Sequence, residues 1–386
     1  MTTVYDVARA AAVSTATVSR VLHHADRVGP ETRERVLKVI AELGFVPNAA
    51  AQSLSRRRRD LIGLVVVERD LDTPFDIEET SLLYPDLIVR GAEYALRETG
   101  SSLLLAFLSS NEATFGRIRS LSAKVDGLLI SEGILPEASL EELARRVPIV
   151  VLAGQYEGGG LDVVAVDNVA GIRALVAHLI DAHSCRRLHF IAGPPDAPDA
   201  RQRFEGFRAV VASRRGAHIV GTGQGDFSER SGARAARDLL ALPAAVDLPE
   251  AVVCANDQMA VGLIRELEAA GVSVPGQVAV VGFDDLYPSR LLNPPLTTVR
   301  QPMRELGTRG VARLLERIAN PTQPPRVEVL PTELVIRASC GCPVGVDSDK
   351  TRGHRGKGLA TPSLTVRYPE RDSELPARDP AASKRR

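Results

Sequence analysis

At 386 residues, with 44% apolar residues and only four cysteines (Cys185, Cys254, Cys340, Cys342), the chain is too long for one ordinary domain and too poor in thiols for a disulfide-framed scaffold. It opens without a basic start and apolar run, and no later apolar run is long enough to span a bilayer, so a cytoplasmic protein without membrane contact is expected. The formal net charge of +0 conceals segregation: residues 1–60 hold 10 Lys/Arg against 6 Asp/Glu, residues 341–386 repeat those counts, and the acidic middle holds 28 against 36, a pattern suited to presenting one end to a polyanion.

Three short amphipathic helices are predicted first. Thr3 followed by Asp6 has capping-box spacing ahead of Val7, Ala8 and Ala11. Ser14 is an N-cap candidate for a second helix carrying Val18, Val21 and Leu22. Gly29-Pro30 opens a third, in which Val36, Val39, Ile40 and Leu43 share a face before Gly44 ends it. From Leu61 the pattern changes to short apolar runs (61–67, 102–107, 127–130, 148–153, 163–167, 188–193, 218–222, 251–256 and 278–283) separated by helical stretches. That rhythm predicts βαβ units and an α/β fold of doubly wound parallel sheets. Residues 341–386, rich in Gly, Pro, Arg and Asp without apolar periodicity, read as a disordered basic tail.

A helix, a tight turn and a second helix starting at Ser14 make the geometry that places an α-helix in a major groove. The stretch from Val4 to Leu54, with YDVA, VSTATVSRVL, TRERV and GFVPNAAAQSL, resembles the N-terminal headpiece of the LacI/GalR family of bacterial repressors. Further pieces, among them VDGLLI, VDNVAG, RQRFEGF, CANDQMAVGLIREL, VAVVGFDD and PPLTTVRQP, resemble that family's two-lobed core, which looks like periplasmic sugar-binding proteins. The resemblance implies a three-helix helix-turn-helix headpiece (1–46), a hinge helix and linker (47–60), and an effector-binding and dimerisation domain (61–340). Chain order then implies lobe one from 61–162 and 293–322 and lobe two from 163–292 and 323–340.

Carried over residue by residue, the resemblance places Thr15 and Ala16 on base edges with Arg20 one turn on, and gives Ser14, Thr17 and Ser19 to phosphates. Hydroxyls and amides at a helix N-terminus suit phosphate oxygens, and Arg can bridge guanine O6 and N7. Thr3, Asn48 and Ala51 join the DNA-binding set, and Leu54 takes the place of a wedge that enters the minor groove as paired hinge helices order on DNA. Arg56–Arg59 would add salt-dependent phosphate affinity. Ala12 departs from the Gly or Asn that often occupies this turn.

In the core, the family pattern points to Arg203, Asn256, Asp257 and Asp284 at strand or helix ends around one cleft, where they would satisfy hydroxyls of a sugar or nucleoside-like effector. Arg203 and Asp284 also admit an ion-pair reading, and Asn256, Asp257 and Phe75 a structural one. Either Phe75 or Tyr84 is placed to face the cleft from an acidic segment longer than the family's usual one.

The expected function is a sequence-specific transcriptional regulator of repressor type, a homodimer on pseudo-palindromic double-stranded operator DNA, controlled by a small polar effector, most simply a sugar. Alternatives are a nucleoside- or purine-type corepressor-dependent repressor, or a cytoplasmic small-molecule-binding protein whose headpiece has another partner. No leucine heptad in the tail supports a tetramer. No phosphate loop, nucleophile elbow or metal-spaced His/Cys set is recognisable, so no catalytic residues, cofactor or metal are expected. Cys340 and Cys342 form a C-x-C pair without further ligands nearby in sequence.

Overall fold

A computed structural model describes residues 2–23, 25–45, 59–67, 83–111, 113–154, 159–243 and 247–343. The expectations for Asn48, Ala51, Leu54, Arg56–Arg58 and Phe75, and for the tail from 344 on, lie outside the described residues.

The headpiece consists of α1 (Val4–Ala10), α2 (Thr15–His23) and α3 (Pro30–Leu43). Its capping box forms as expected: Thr3 N–H donates to Asp6 Oδ2 at 2.9 Å and Asp6 N–H to Thr3 Oγ1 at 3.3 Å. Between α1 and α2 the chain turns at Ala12 with φ +50°, a left-handed conformation that costs an alanine about 1 kcal/mol. Val7, Ala8, Ala11, Val18, Val21 and Val36 close a small core, and the Arg35 Nε–H donates to the Ala11 carbonyl at 3.1 Å. Leu43, expected on the inner face, is 39% exposed, because the two short helices leave the last turn of α3 uncovered.

Lobe one is an all-parallel six-stranded sheet of β1 (Leu61–Val67), β2 (Ser102–Leu108), β3 (Gly127–Ser131), β4 (Ile149–Leu152), β5 (Asp162–Val166) and β11 (Val327–Leu330), ordered β11-β5-β4-β3-β1-β2. Helices α4 (Leu83–Leu96) and α12 (Met303–Ala319) cover one face, and α5 (Thr114–Ser122) and α6 (Glu137–Ala144) the other. Ile62, Leu64 and Val66 of β1 enter the first layer and Val65 the second, the two-residue period of a strand buried on both sides. At the α4–α12 crossing a Cβ on Gly91 would lie 2.0 Å from the Arg304 carbonyl oxygen, and one on Gly307 2.1 Å from that of Ile88. Only glycines permit backbones this close.

Lobe two holds a parallel four-stranded sheet of β6 (Arg187–Ala192), β7 (His218–Gln224), β8 (Ala251–Cys254) and β9 (Ala279–Val281), ordered β7-β6-β8-β9. Around it lie α7 (Asn168–Ala182) beside α8 (Pro198–Ala212), and α9 (Glu229–Leu240) beside α10 (Asp257–Ala269). The short α11 (Tyr287–Leu291) precedes an antiparallel pair, β10 (Thr298–Arg300) with β12 (Glu333–Val335).

This pairing corrects the expected lobe boundaries. β5 pairs with β4 and β11 with β5, so residues 163–166 and 327–330 complete the sheet of lobe one instead of belonging to the opening segments of lobe two. The apolar run of β5 was legible but its sheet was not, since a fully apolar strand looks the same in either sheet; β11, VEVL with Glu328 inside it, was not foreseen as a strand. The three crossovers therefore fall near Asp167, between Gly282 and Pro302, and near Thr332, whose hydroxyl donates to the Asp167 carbonyl at 3.1 Å.

Candidate functional site

Burial of Val18 and Val21 fixes which face of α2 is outward. Ser14, Ala16, Ser19 and Arg20 are exposed, and Thr15 and Thr17 are half-buried. Ser14 is the N-cap: its Oγ accepts from Thr17 N–H at 3.1 Å and lies 2.9 Å from Thr17 Oγ1. The outward face thus combines small hydroxyls, a short apolar side chain and one guanidinium, a surface able to approach base edges closely. Thr3 is differently employed, since its hydroxyl donates to Asp6 at 2.7 Å. Tyr5, which the sequence reading passed over, stands 69% exposed on α1; the signal for it was an aromatic outside the apolar period of that helix.

The second constellation gathers where the crossovers meet. Arg203 on α8 is only 2% exposed. Its Nε–H donates to Asn168 Oδ1 at 3.0 Å and one terminal nitrogen to the Ala255 carbonyl at 2.7 Å, while the guanidinium carbon lies 4.0 Å from the centroid of the Phe283 ring. Asn168 in turn donates to Gln202 Oε1 at 2.9 Å. These contacts hold the planar head rigidly and leave its remaining edge toward two carboxylates, Asp199 at 3.3 Å and Asp284 at 3.7 Å. Asp284 is at ion-pair range without a close hydrogen bond to Arg203.

Asp284 and Asp285 follow β9 with φ +123° and +57°, a strained pair of the kind that collects at functional sites. Asp284 is buried, and burial pushes its carboxyl up to about 7 although Arg203 and a donated bond from Gln301 oppose the rise. Asp285 accepts from Arg290, Arg300 and Arg337, and despite its burial these three guanidiniums hold it below the usual carboxylate range. Neighbouring carboxylates thus divide the work: one meets Arg203 and Gln301, and the other knots the crossovers.

Lobe one contributes Tyr84, at the start of α4. Burial and the nearby Asp199 and Asp284 raise its phenol far above the ordinary value, so it is a neutral donor at any physiological pH. Of Phe75 and Tyr84, only Tyr84 lies among the described residues; it packs against the core of lobe one, and its phenol feels the charges of Asp199, Asp284 and Arg203.

Asn256 and Asp257 do not converge on the cleft as free groups. Asn256 Oδ1 accepts from Met259 N–H at 3.0 Å as N-cap of α10, and its amide donates to the Phe227 carbonyl at 3.0 Å. Asp257 is fully buried, accepting from Thr298 Oγ1 at 2.5 Å and Leu286 N–H at 2.9 Å. Its expected ligand role is replaced by a structural one: it ties the start of α10 to two crossover segments. The contact through Asn256 instead identifies Phe227, a partly buried aromatic with φ +74° just beyond the carboxyl end of β7. Its ring lies where a Cβ on Gly193 would come within 2.2 Å, so it packs on bare backbone at the end of β6. The sequence signal was an aromatic between a strand end and the N-cap Ser228.

Residues 3–48 match the model of the lacI family of bacterial regulatory proteins, and residues 176–340 that of a periplasmic binding protein-like domain. The ribose operon repressor of Escherichia coli (strain K12) is 35% identical over 339 residues, covering 86% of this chain and 98% of its own length. The HTH-type transcriptional repressor CytR of the same strain is 32% identical over 345 residues, covering 87% of this chain and 96% of its own. Among solved structures, a lac repressor dimer bound to operator and the anti-inducer ONPF superposes with a TM-score of 0.77 at 30% identity, over 88% of this chain and 99% of that one.

Proposed function

The chain belongs to the lacI family of bacterial regulatory proteins, and from that premise we propose a dimeric transcriptional repressor whose grip on operator DNA is set by a pentose-type sugar, free or within a nucleoside. The observation that carries the effector half is the buried Arg203 held 3.7 Å from buried Asp284 just past the carboxyl end of β9 in lobe two. A guanidinium and a carboxylate poised this way offer donors and acceptors to adjacent ring hydroxyls, Tyr84 supplies a donor from the other lobe, and Phe227 an apolar wall. A ligand touching both lobes favours their closed arrangement and so shifts the population between DNA-competent and DNA-incompetent states. The operon named for the ribose repressor is the reason to begin with pentoses.

On the DNA side, α2 enters the major groove with Thr15, Ala16 and Arg20 toward bases and Ser14, Thr17, Ser19 and Tyr5 toward the backbone. Asn48, Ala51 and Leu54 stay assigned to the hinge helix, by resemblance. The relatives are repressors, and the site is read as a binding site rather than a catalytic one. Among the described residues no helix is long and apolar enough to cross a membrane, and we place the protein in the cytoplasm with its DNA.

The test is selection of duplexes from a random library by the full-length chain, followed by titration of the enriched duplex with and without ribose, other pentoses and nucleosides. A pseudo-palindromic site should emerge, and one ligand should change its affinity at least fivefold in either direction. Arg203→Ala should bind the same duplex without responding to the ligand. Absence of any preferred duplex would refute the DNA half, and an undiminished ligand response in Arg203→Ala the effector half.

A further inference from the structure

At the far end of α7 from the cleft, two histidines meet two cysteines. His178 lies in the last turns of α7 and His183 caps it; Cys340 and Cys342 lie on the segment that follows β12. Their four ligand atoms all fall within 4.8 Å of one another. The Nε2 atoms of the two rings are 3.2 Å apart, Cys340 Sγ is 3.5 Å from His178 Nε2, and Cys342 Sγ is 3.7 Å from His178 Nε2 and 3.3 Å from His183 Nε2. A tetrahedral zinc ion with metal–sulfur bonds of about 2.3 Å and metal–nitrogen bonds of about 2.0–2.1 Å requires edges of roughly 3.3 Å between nitrogens and 3.6 Å between nitrogen and sulfur. The four distances follow those edges.

We propose that His178, His183, Cys340 and Cys342 form a closed structural site for a tetrahedral thiophilic divalent cation, zinc in the first instance. A Cys2His2 set fills all four positions and leaves none for substrate, which marks a structural site. The surroundings suit it. Cys340 is 2% exposed, and the Thr297 hydroxyl lies 3.2 Å from its Sγ, placed to donate to a thiolate. Gly341, with φ +102°, carries the chain between the two thiols, and a Cβ there would press within 3.3 Å of the His183 ring. A reducing compartment keeps such thiols available to metal.

The ion would staple the last described segment of lobe two, which arrives by the third crossover, onto α7, which arrives by the first. The sequence hid the set because its halves are separated by more than 150 residues.

The test uses full-length reduced protein dialysed against chelator, with Co(II) as the probe and Zn(II) as competitor. Expected are uptake of one Co(II) per chain, intense visible bands of tetrahedral geometry with a thiolate charge-transfer band, displacement by Zn(II), and a rise in Tm on adding Zn(II). Cys342→Ser, at a half-buried position, and His178→Gln should each lower Co(II) affinity at least tenfold and remove the Zn(II)-dependent rise in Tm, while keeping wild-type circular dichroism and operator binding. A weak octahedral Co(II) spectrum, no uptake by the reduced protein, or equal affinity in Cys342→Ser would overturn the proposal.

Discussion

Asp284 shows how one position links binding to stability. In the folded chain its carboxyl is raised to about 7 by burial, so the native state holds a proton that the unfolded chain releases near the ordinary carboxylate value. The native state binds more protons across that interval, so this residue's contribution to stability is fullest in acid and is lost as pH rises toward and through 7. Asp284→Asn, which keeps an acceptor for Gln301 and cannot ionise, should remove that slope: its stability relative to wild type should improve steadily from mildly acidic to mildly alkaline pH. Denaturant melts at four or five pH values would check this, and parallel curves for the two proteins would contradict it. Asp285 has the opposite sign and belongs to the crossover knot of Arg290, Arg300 and Arg337, so the acidic pair in GFDD is one group set against Arg203 and one that ties the crossovers.

At the scale of the element, the turn between α1 and α2 carries a removable strain. Ala12 is exposed and held at φ +50°, where glycine adopts the same backbone without a Cβ clash. Ala12→Gly should therefore be neutral to stabilising by up to about 1 kcal/mol, the relief of strain being partly offset by the greater freedom of glycine in the unfolded chain. Thermal melts of the full chain would show it, and a clear fall in headpiece stability would mean the turn is not left-handed in solution. The headpiece as a whole was legible in advance because its signals are local: a capping box, an N-cap serine, a Pro at the start of α3 and Gly44 at its end act within a few residues. The crossing of α4 and α12 was not, because Gly91 and Gly307 acquire meaning only when the 215 positions between them fold so as to bring them together.

For the whole molecule, the two lobes leave apolar surface uncovered. Tyr287 and Leu291, four residues apart on α11, are each 68% exposed, as are Val327 (60%) and Val329 (56%) on the edge strand β11. Residues i and i+4 of a helix share a face, so α11 presents an apolar pair to solvent in the single chain, consistent with a partner copy covering it. Leu291→Asp should weaken dimerisation by at least tenfold and lower operator affinity correspondingly, since two half-sites are then no longer gripped together. Sedimentation or light scattering across a dilution series would check it; an unchanged monomer–dimer equilibrium would exclude this face.

The amino-acid sequence by itself determined the three headpiece helices and the apolar runs of the parallel strands through β9, and it raised the Arg203–Asp284 ion pair as one of two readings, because hydrophobic period, caps and motif context are written over short stretches of chain. Only the tertiary structure decided which sheet receives β5 and β11, that Asp257 is spent on the crossovers, that Phe227 packs on Gly193 at the end of β6, and that two histidines lie beside Cys340 and Cys342. Each of these depends on contacts between residues far apart in the chain, and no local pattern encodes a distance that only the folded backbone sets.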